Sequence, residues 1–201
     1  MDAIYATAGL KNTLLTSSRS DPDLEAAAAS CGRVVVEELP VMVANRAAGP
    51  TDWPVPTGTS VRRLDPVADL ALFRTILIDG FFESDPEGRE LIEATFAMSS
   101  PLSGSGVAVF IGGLDGRPAS AAGAWLLGED AAIGWVATLP DARRRGLGAL
   151  VTARATEWAF AQGASIAVLQ ASPLGRPVYE RIGFATVGLD RIWEQAVSSG
   201  R

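Results

Sequence analysis

Histidine is missing from all 201 residues. Its absence removes the Ser-His-Asp and Cys-His routes to nucleophilic catalysis, and with them the commonest protein ligand for a transition metal. No metal site is expected. Cysteine is nearly missing too: Cys31 stands alone, so no internal disulfide can form, which suits a reducing compartment. Its Ala-rich surroundings, residues 26–29, suggest a small buried side chain rather than a nucleophile. No apolar run is long enough to cross a bilayer, and the first residues show no basic start leading into an apolar region. A cytoplasmic protein without membrane contact is therefore expected. Positive charge is scarce: 17 basic against 23 acidic residues leave a formal charge of −6, which argues against nucleic acid as a partner. What remains is 48% hydrophobic and 20% charged residues, the balance of a folded chain with one good core, or a core plus an appendage.

The few basic residues are not spread evenly. Residues 133–140 read Ile-Gly-Trp-Val-Ala-Thr-Leu-Pro, and a short acidic turn leads to Arg143, Arg144 and Arg145. Gly146, Leu147 and Gly148 then open a long helical pattern. A helix begins with unpaired N–H groups and partial positive charge, so three arginines there are unfavourable unless an anion sits among them. Glycines at the same place let a ligand approach the backbone. The combination describes a cradle for a diphosphate-like anion. A solvated basic run is the bland alternative, but the helix dipole and the glycines both speak against it.

Residues 1–60 carry no catalytic spacing and read as an N-terminal extension. Asp21-Pro22 starts a short helix through Ala29, and residues 34–36 and 41–44 look like strands interrupted at Pro40. Pro50, Pro54 and Pro56 make a stiff linker. The main domain is expected over 61–201. It begins with a strand at 61–64, after which Asp65-Pro66 caps a helix carrying Leu70, Phe73 and Leu77 until Gly80 ends it. Asp85-Pro86-Glu87 repeats the start signal for a second helix. Strands at 107–111, 119–127 and 131–138 form an antiparallel meander with a hairpin turn at Asp115-Gly116. A helix over 146–161 has Arg154 within its apolar stripe. A buried strand at 165–170 should lie parallel to the one ending at Thr138. Pro177 starts a short helix that Gly183 stops, and a last strand begins at Phe184.

That short helix holds the second chemical feature, Pro-Val-Tyr-Glu-Arg-Ile-Gly-Phe over 177–184. The Tyr179 phenol would face the same cleft as the Arg/Gly turn; near its reference pKa of about 10 it is protonated and can donate to a leaving thiolate. An ordinary half-buried tyrosine is the competing explanation.

In this order and spacing the two features resemble the GCN5-related N-acetyltransferase (GNAT) family. Arg143-x-x-Gly146-x-Gly148 after Val136-Ala137-Thr138 is similar to that family's cofactor signature, [QR]-x-x-G-x-[GA], and residues 179–184 to its later Y-x-x-x-G-F segment. The resemblance covers residue 61 to the C-terminus. It implies the acyl-CoA N-acyltransferase fold: α/β, with a mixed, mostly antiparallel central sheet containing one parallel pair and flanked by helices. It implies acetyl-CoA as co-substrate and a small-molecule or peptide amine as acceptor, and it leaves a homodimer open. The backbone of Val136, Ala137 and Thr138 would pair with the pantetheine arm. The N–H groups from Arg143 and Arg144 through Arg145, Gly146, Leu147 and Gly148 to Ala149 would hold the pyrophosphate. One N–H at Ala137 or Thr138 would face the thioester oxygen, and Tyr179 would protonate the departing thiolate.

Three positions depart from the pattern. Arg144 stands where glycine is frequent, and is expected to add a phosphate contact at little cost. Ser172 stands where many members have asparagine. No carboxylate occurs in residues 133–138, where several members carry a catalytic glutamate and this chain has Trp135. The base that frees the amine is then Glu83, Asp79 or a chain of waters. The loop joining the first two helices, with Phe81, Phe82 and Glu83, would shape the acceptor pocket together with Trp135, although Glu83 and Asp85 also read as solvent-facing, Asp85 simply as a cap. Against an acetyltransferase using direct attack stand two rivals: a non-catalytic acyl-CoA-binding or sensor module of the same fold, and a nucleotide-binding protein. The second lacks any G-x-x-x-x-G-K-[ST].

Overall fold

The structure, a computed structural model, describes residues 13–48, 53–82, 85–97 and 102–196. The architecture is mixed α/β, a mostly antiparallel sheet with one parallel pair and flanking helices. Two compact units divide the chain. The larger holds residues 43–169 and 177–185; the smaller holds residues 1–42, 170–176 and 186–201.

In the larger unit the strands β3 (Thr59–Arg63), β4 (Val107–Leu114), β5 (Arg117–Leu127), β6 (Asp130–Thr138) and β7 (Ile166–Gln170) lie in the order β7-β6-β5-β4-β3. The meander from β3 to β6 is antiparallel. Asp115 and Gly116 both have positive φ, the left-handed pair that a two-residue hairpin requires. β6 and β7 run parallel, as expected of strands joined by helix α4 (Leu147–Ala161).

Side-chain alternation gives each face of the meander its own helix. Val109 and Ile111 join Phe73, Ile76 and Leu77 of α2 (Leu70–Phe81) and Ile92 of α3 (Pro86–Thr95) in one buried cluster. On β4, Gly112 instead faces α4: a Cβ there would meet Val151 at 2.8 Å, so the missing side chain sets how close that helix can come. α4 is buried nearly all round, and its buried Thr152 and Thr156 hydroxyls are satisfied by the carbonyls of Gly148 and Thr152, at 2.7 and 2.9 Å. Arg154, unexplained within the apolar stripe, is paired with Glu157 at 2.6 Å and stays partly in solvent.

Several expected boundaries move. Residues 34–36 and 41–44 belong to one continuous strand, β2 (Arg33–Asn45); Pro40 costs it a donor but not its course, and the Pro40 carbonyl still accepts from the Ala171 N–H at 2.8 Å. Asp65 does not cap α2. Its carboxylate receives the N–H groups of Val67 and Ala68 in a separate turn, and the helix starts at Leu70. Nor does Gly80 end it, because α2 runs one residue further. Asp85 does cap α3, accepting from the Glu87 N–H at 3.1 Å. Cys31, expected to be buried, is exposed, since it follows the last turn of α1 (Pro22–Ser30) rather than lying on its packed face.

Within the smaller unit β1 (Leu14–Ser17), β8 (Ala185–Gln195) and β2 lie in the order β1-β8-β2. A polar network fastens α1 to these strands. Buried Thr16 receives the Trp193 indole N–H at 2.9 Å and donates to Glu25, whose second oxygen pairs with Arg191 at 2.6 Å.

The turn before α2 carries a pH-sensitive contact. Arg62 donates to Asp69 at 2.7 Å, and the Asp65 N–H reaches the other carboxylate oxygen at 2.9 Å. The Arg62 hydrogen bond holds the Asp69 carboxyl at about 2, against 3.8 for the ordinary group. A depressed carboxyl contributes stability above the unfolded value that disappears as pH falls through the folded one. The wild type should therefore exceed Asp69→Asn by about 1 kcal/mol at pH 5, in urea titrations, and the gap should close by about pH 2.

Candidate active site

Every feature described next lies in the larger unit unless stated. β6 is irregular at its centre. Ala121 pairs with Ala137 and Gly123 with Gly134, so Trp135 and Val136 together oppose the single residue Ala122. This is a β-bulge, and Trp135 takes φ +52 to make it. A tryptophan in the left-handed region costs on the order of 1 kcal/mol. The bulge sets the half-buried Trp135 ring edge-on to Phe96 at 5.2 Å, and Phe96 in turn to Phe73 at 5.2 Å.

Pairing between β6 and β7 stops early. Three residue pairs form, from Asp130 with Ile166 to Ala132 with Val168. Beyond Ala132 that edge of β6 has no ladder partner on β7. Backbone direction there can be read from the bonds. The Leu139 N–H reaches the Ala119 carbonyl at 2.9 Å, and the Ala137 carbonyl accepts from the Ser120 hydroxyl at 2.7 Å. Both therefore face β5, and the intervening Thr138 N–H and C=O face away from it. The Thr138 hydroxyl is fixed at 2.9 Å from that of Ser120, which is fully buried.

The turn follows immediately, through a 3-10 segment, Pro140–Ala142. Asp141 is ion-paired with Arg117 at 2.6 Å rather than with any of the arginines that follow it. Arg144 has φ +63 and Gly146 φ +82. The expectation that Arg144 costs little is corrected here: glycine is favoured where φ is positive, and arginine in its place costs about 1 kcal/mol. Gly146 caps α4 without a side-chain bond, and the first intrahelical bond runs from the Leu150 N–H to the Gly146 carbonyl at 3.0 Å. The N–H groups of Leu147, Gly148 and Ala149 thus have no acceptor within the helix. Leu147 and Ala149 bury their side chains, leaving only backbone for a ligand, and a Cβ on Gly148 would come within 3.4 Å of the Thr138 hydroxyl. Arg144 and Arg145 are exposed, with no ion-pair partner among the described residues. Arg143 behaves differently: its guanidinium donates to the Thr138 carbonyl at 3.2 Å and to the Gly80 carbonyl at 2.9 Å.

Tyr179 lies on α5 (Arg176–Arg181), buried, with its ring 6.2 Å from that of Phe184. Burial pushes its phenol up to about 12. It stays protonated across any working pH. Ser172 belongs to the smaller unit, where it is exposed and its hydroxyl accepts from the Gly175 N–H at 3.1 Å.

In the segment expected to shape an acceptor pocket, Phe81 is exposed and Phe82 half-buried, with rings 5.9 Å apart. Phe82 packs its ring against α3 at Gly88, where any Cβ would collide with it. Asp79 pairs with Arg89 at 3.4 Å across the two helices. Glu83 lies outside the described residues. Sequence reasoning missed two contributors, Gly80 and Ser120. Each touches residues 137–138 from a distant part of the chain, and neither carries a local signal. Among the described residues, no helix is long and apolar enough to cross a membrane.

No curated protein matches this sequence. Solved structures do match the fold. A GCN5-related N-acetyltransferase from Kribbella flavida superposes with a TM-score of 0.76 at 20% identity, covering 99% of this chain and 73% of that one. Another from Sphaerobacter thermophilus gives 0.70 at 14%, covering 91% and 59%. A tandem GNAT protein from the clavulanic acid biosynthesis pathway gives 0.66 at 18%, covering 94% and 65%. The chain thus spans 59% of the second protein's length and 65% of the third's. The sequence profile of the acetyltransferase (GNAT) family matches residues 71–184, a stretch that begins in α2, takes in the bulged strand and the arginine turn, and closes just past Tyr179. More than half of the chain fits that profile, and the chain belongs to the acetyltransferase (GNAT) family.

Proposed function

We propose that the protein moves an acetyl group from acetyl-CoA to an amine by direct attack in a ternary complex. Acetyl transfer from acetyl-CoA is the general reaction of its family. The observation that carries the reading is the start of α4: unpaired N–H groups, two exposed arginines without partners among the described residues, and a backbone opened by Gly146. Such a site suits the pyrophosphate of coenzyme A. The N–H groups from Arg144 to Ala149 would hold it. The unpaired edge of β6 at Val136 and Thr138 would align the pantetheine arm, and the Thr138 N–H, facing away from β5, is the better oriented oxyanion donor. Phe81, Phe82, Glu83 and Trp135 would line the acceptor pocket. We assign these roles to the domain at 61–201, with 1–60 as an extension to it.

In the reaction the amine nitrogen forms a bond to the thioester carbon while the carbon–sulfur bond breaks. The nitrogen gives up a proton, and the sulfur, leaving as thiolate, gains one. Tyr179 stands as the donor to sulfur, its phenol kept neutral by burial. β6 offers no carboxylate between Ile133 and Thr138, and that observation favours the second reading, an acyl-CoA-binding module without turnover.

Calorimetry with acetyl-CoA and thiol release over a panel of amines decide between them. Binding with amine-dependent thiol release is the expected result. Binding without release on any amine favours the module, and absence of binding overturns both. Arg144→Gly should weaken acetyl-CoA about five-fold, the loss of one charge-assisted phosphate contact, without lowering fold stability, since glycine accepts the positive φ.

A further inference from the structure

Arg143 opens the cofactor signature, yet its side chain is turned back onto the protein. Its guanidinium bridges two carbonyls from different elements, Thr138 at the end of β6 and Gly80 in the last turn of α2. Gly80 is among the last four residues of that helix, whose carbonyls have no partner within it. A cation placed there also meets the negative end of the helix dipole. The backbone is as close as the bridge implies. A Cβ on Gly80 would lie 2.9 Å from the Ala137 Cβ and 3.4 Å from the Thr138 nitrogen. One planar fork therefore joins three things: the turn at the head of α4, the strand end whose Thr138 N–H faces away from β5, and the helix end that carries Phe81 and leads to Phe82.

From this geometry we infer that Arg143 is a positioning residue that transmits cofactor binding to the acceptor side. Anchoring of the turn by a pyrophosphate fixes the Arg143 backbone, the guanidinium holds the Gly80 carbonyl, and the end of α2 becomes ordered before an amine arrives. The inference rests on the cofactor site proposed above and goes beyond it, because the motif's first residue acts here through its side chain on the other substrate's pocket.

Hydrogen exchange of the full chain, with and without coenzyme A, tests it. In the wild type, coenzyme A should slow the amides of residues 144–149 and also, by about five-fold, those of residues 78–82. In Arg143→Gln the first protection should persist and the second should vanish. Three results would overturn the inference. The wild type could show no slowing at 78–82, a result that stands even if the variant does not fold. The variant could keep the full coenzyme-dependent slowing there. Or the variant could exchange faster at 78–82 by the same factor with and without coenzyme A, which would make Arg143 a plain helix cap. If calorimetry detects no coenzyme A binding at all, the cofactor site itself fails and the inference falls with it.

Discussion

Tyr179→Phe should lower amine-dependent thiol release by about a hundred-fold or more while leaving the affinity for acetyl-CoA within a factor of about two, the size expected when a positioned proton donor is lost. The substitution removes one oxygen from a buried ring and leaves its packing on Phe184 in place. Steady-state kinetics beside calorimetry give the readout, kcat falling and the dissociation constant holding. The pH profile sharpens it. Because burial raises the phenol to about 12, wild-type turnover should show no loss near pH 10, where an ordinary tyrosine ionises. An alkaline limb near 10 that disappears in the variant would contradict the burial argument. Unchanged turnover in the variant would remove Tyr179 from the chemistry.

The largest effect on stability should come from Phe73→Ala, at about 3–5 kcal/mol. Phe73 is fully buried on α2 and meets Phe96 edge-to-face; Phe96 meets Trp135 on the bulge. Truncation removes the helix end of a stack that ties helix, loop and strand together, and the surrounding cluster of Ile76, Leu77, Ile92 and Ile111 cannot collapse into the space without moving the sheet. Urea titration at neutral pH measures the loss. Phe81→Ala, at an exposed position on the same helix, is the control and should cost under about 1 kcal/mol.

The parts of this structure legible in the sequence are those whose cause is local. Asp85 before Pro86 caps a helix because its own carboxylate reaches two residues on. Asp115-Gly116 turns a hairpin because both residues accept positive φ. The glycines at 146 and 148 mark a helix start through the backbone freedom of consecutive residues, and the helix does begin at Leu147 behind a positive-φ Gly146. What stayed hidden depends on distant partners. Nothing around Gly80 says that its carbonyl will be taken by a residue 63 positions away, and its usual role as a helix terminator misleads here because it is held against Ala137. The run from Ile133 to Thr138 reads as an even strand, with no glycine at the residue that bends. Tyr179 was visible as a phenol, but its burial, which decides its acidity, was not.

One surplus residue in β6 has a consequence for how such a sheet can change. Delete it, and the amino acids on either side keep their orientation while the ribbon straightens and can continue its zipper with β7. How far β6 can stay paired is thus a matter of counting rather than of composition: one residue more or fewer decides whether the strand keeps an even register past Ala132.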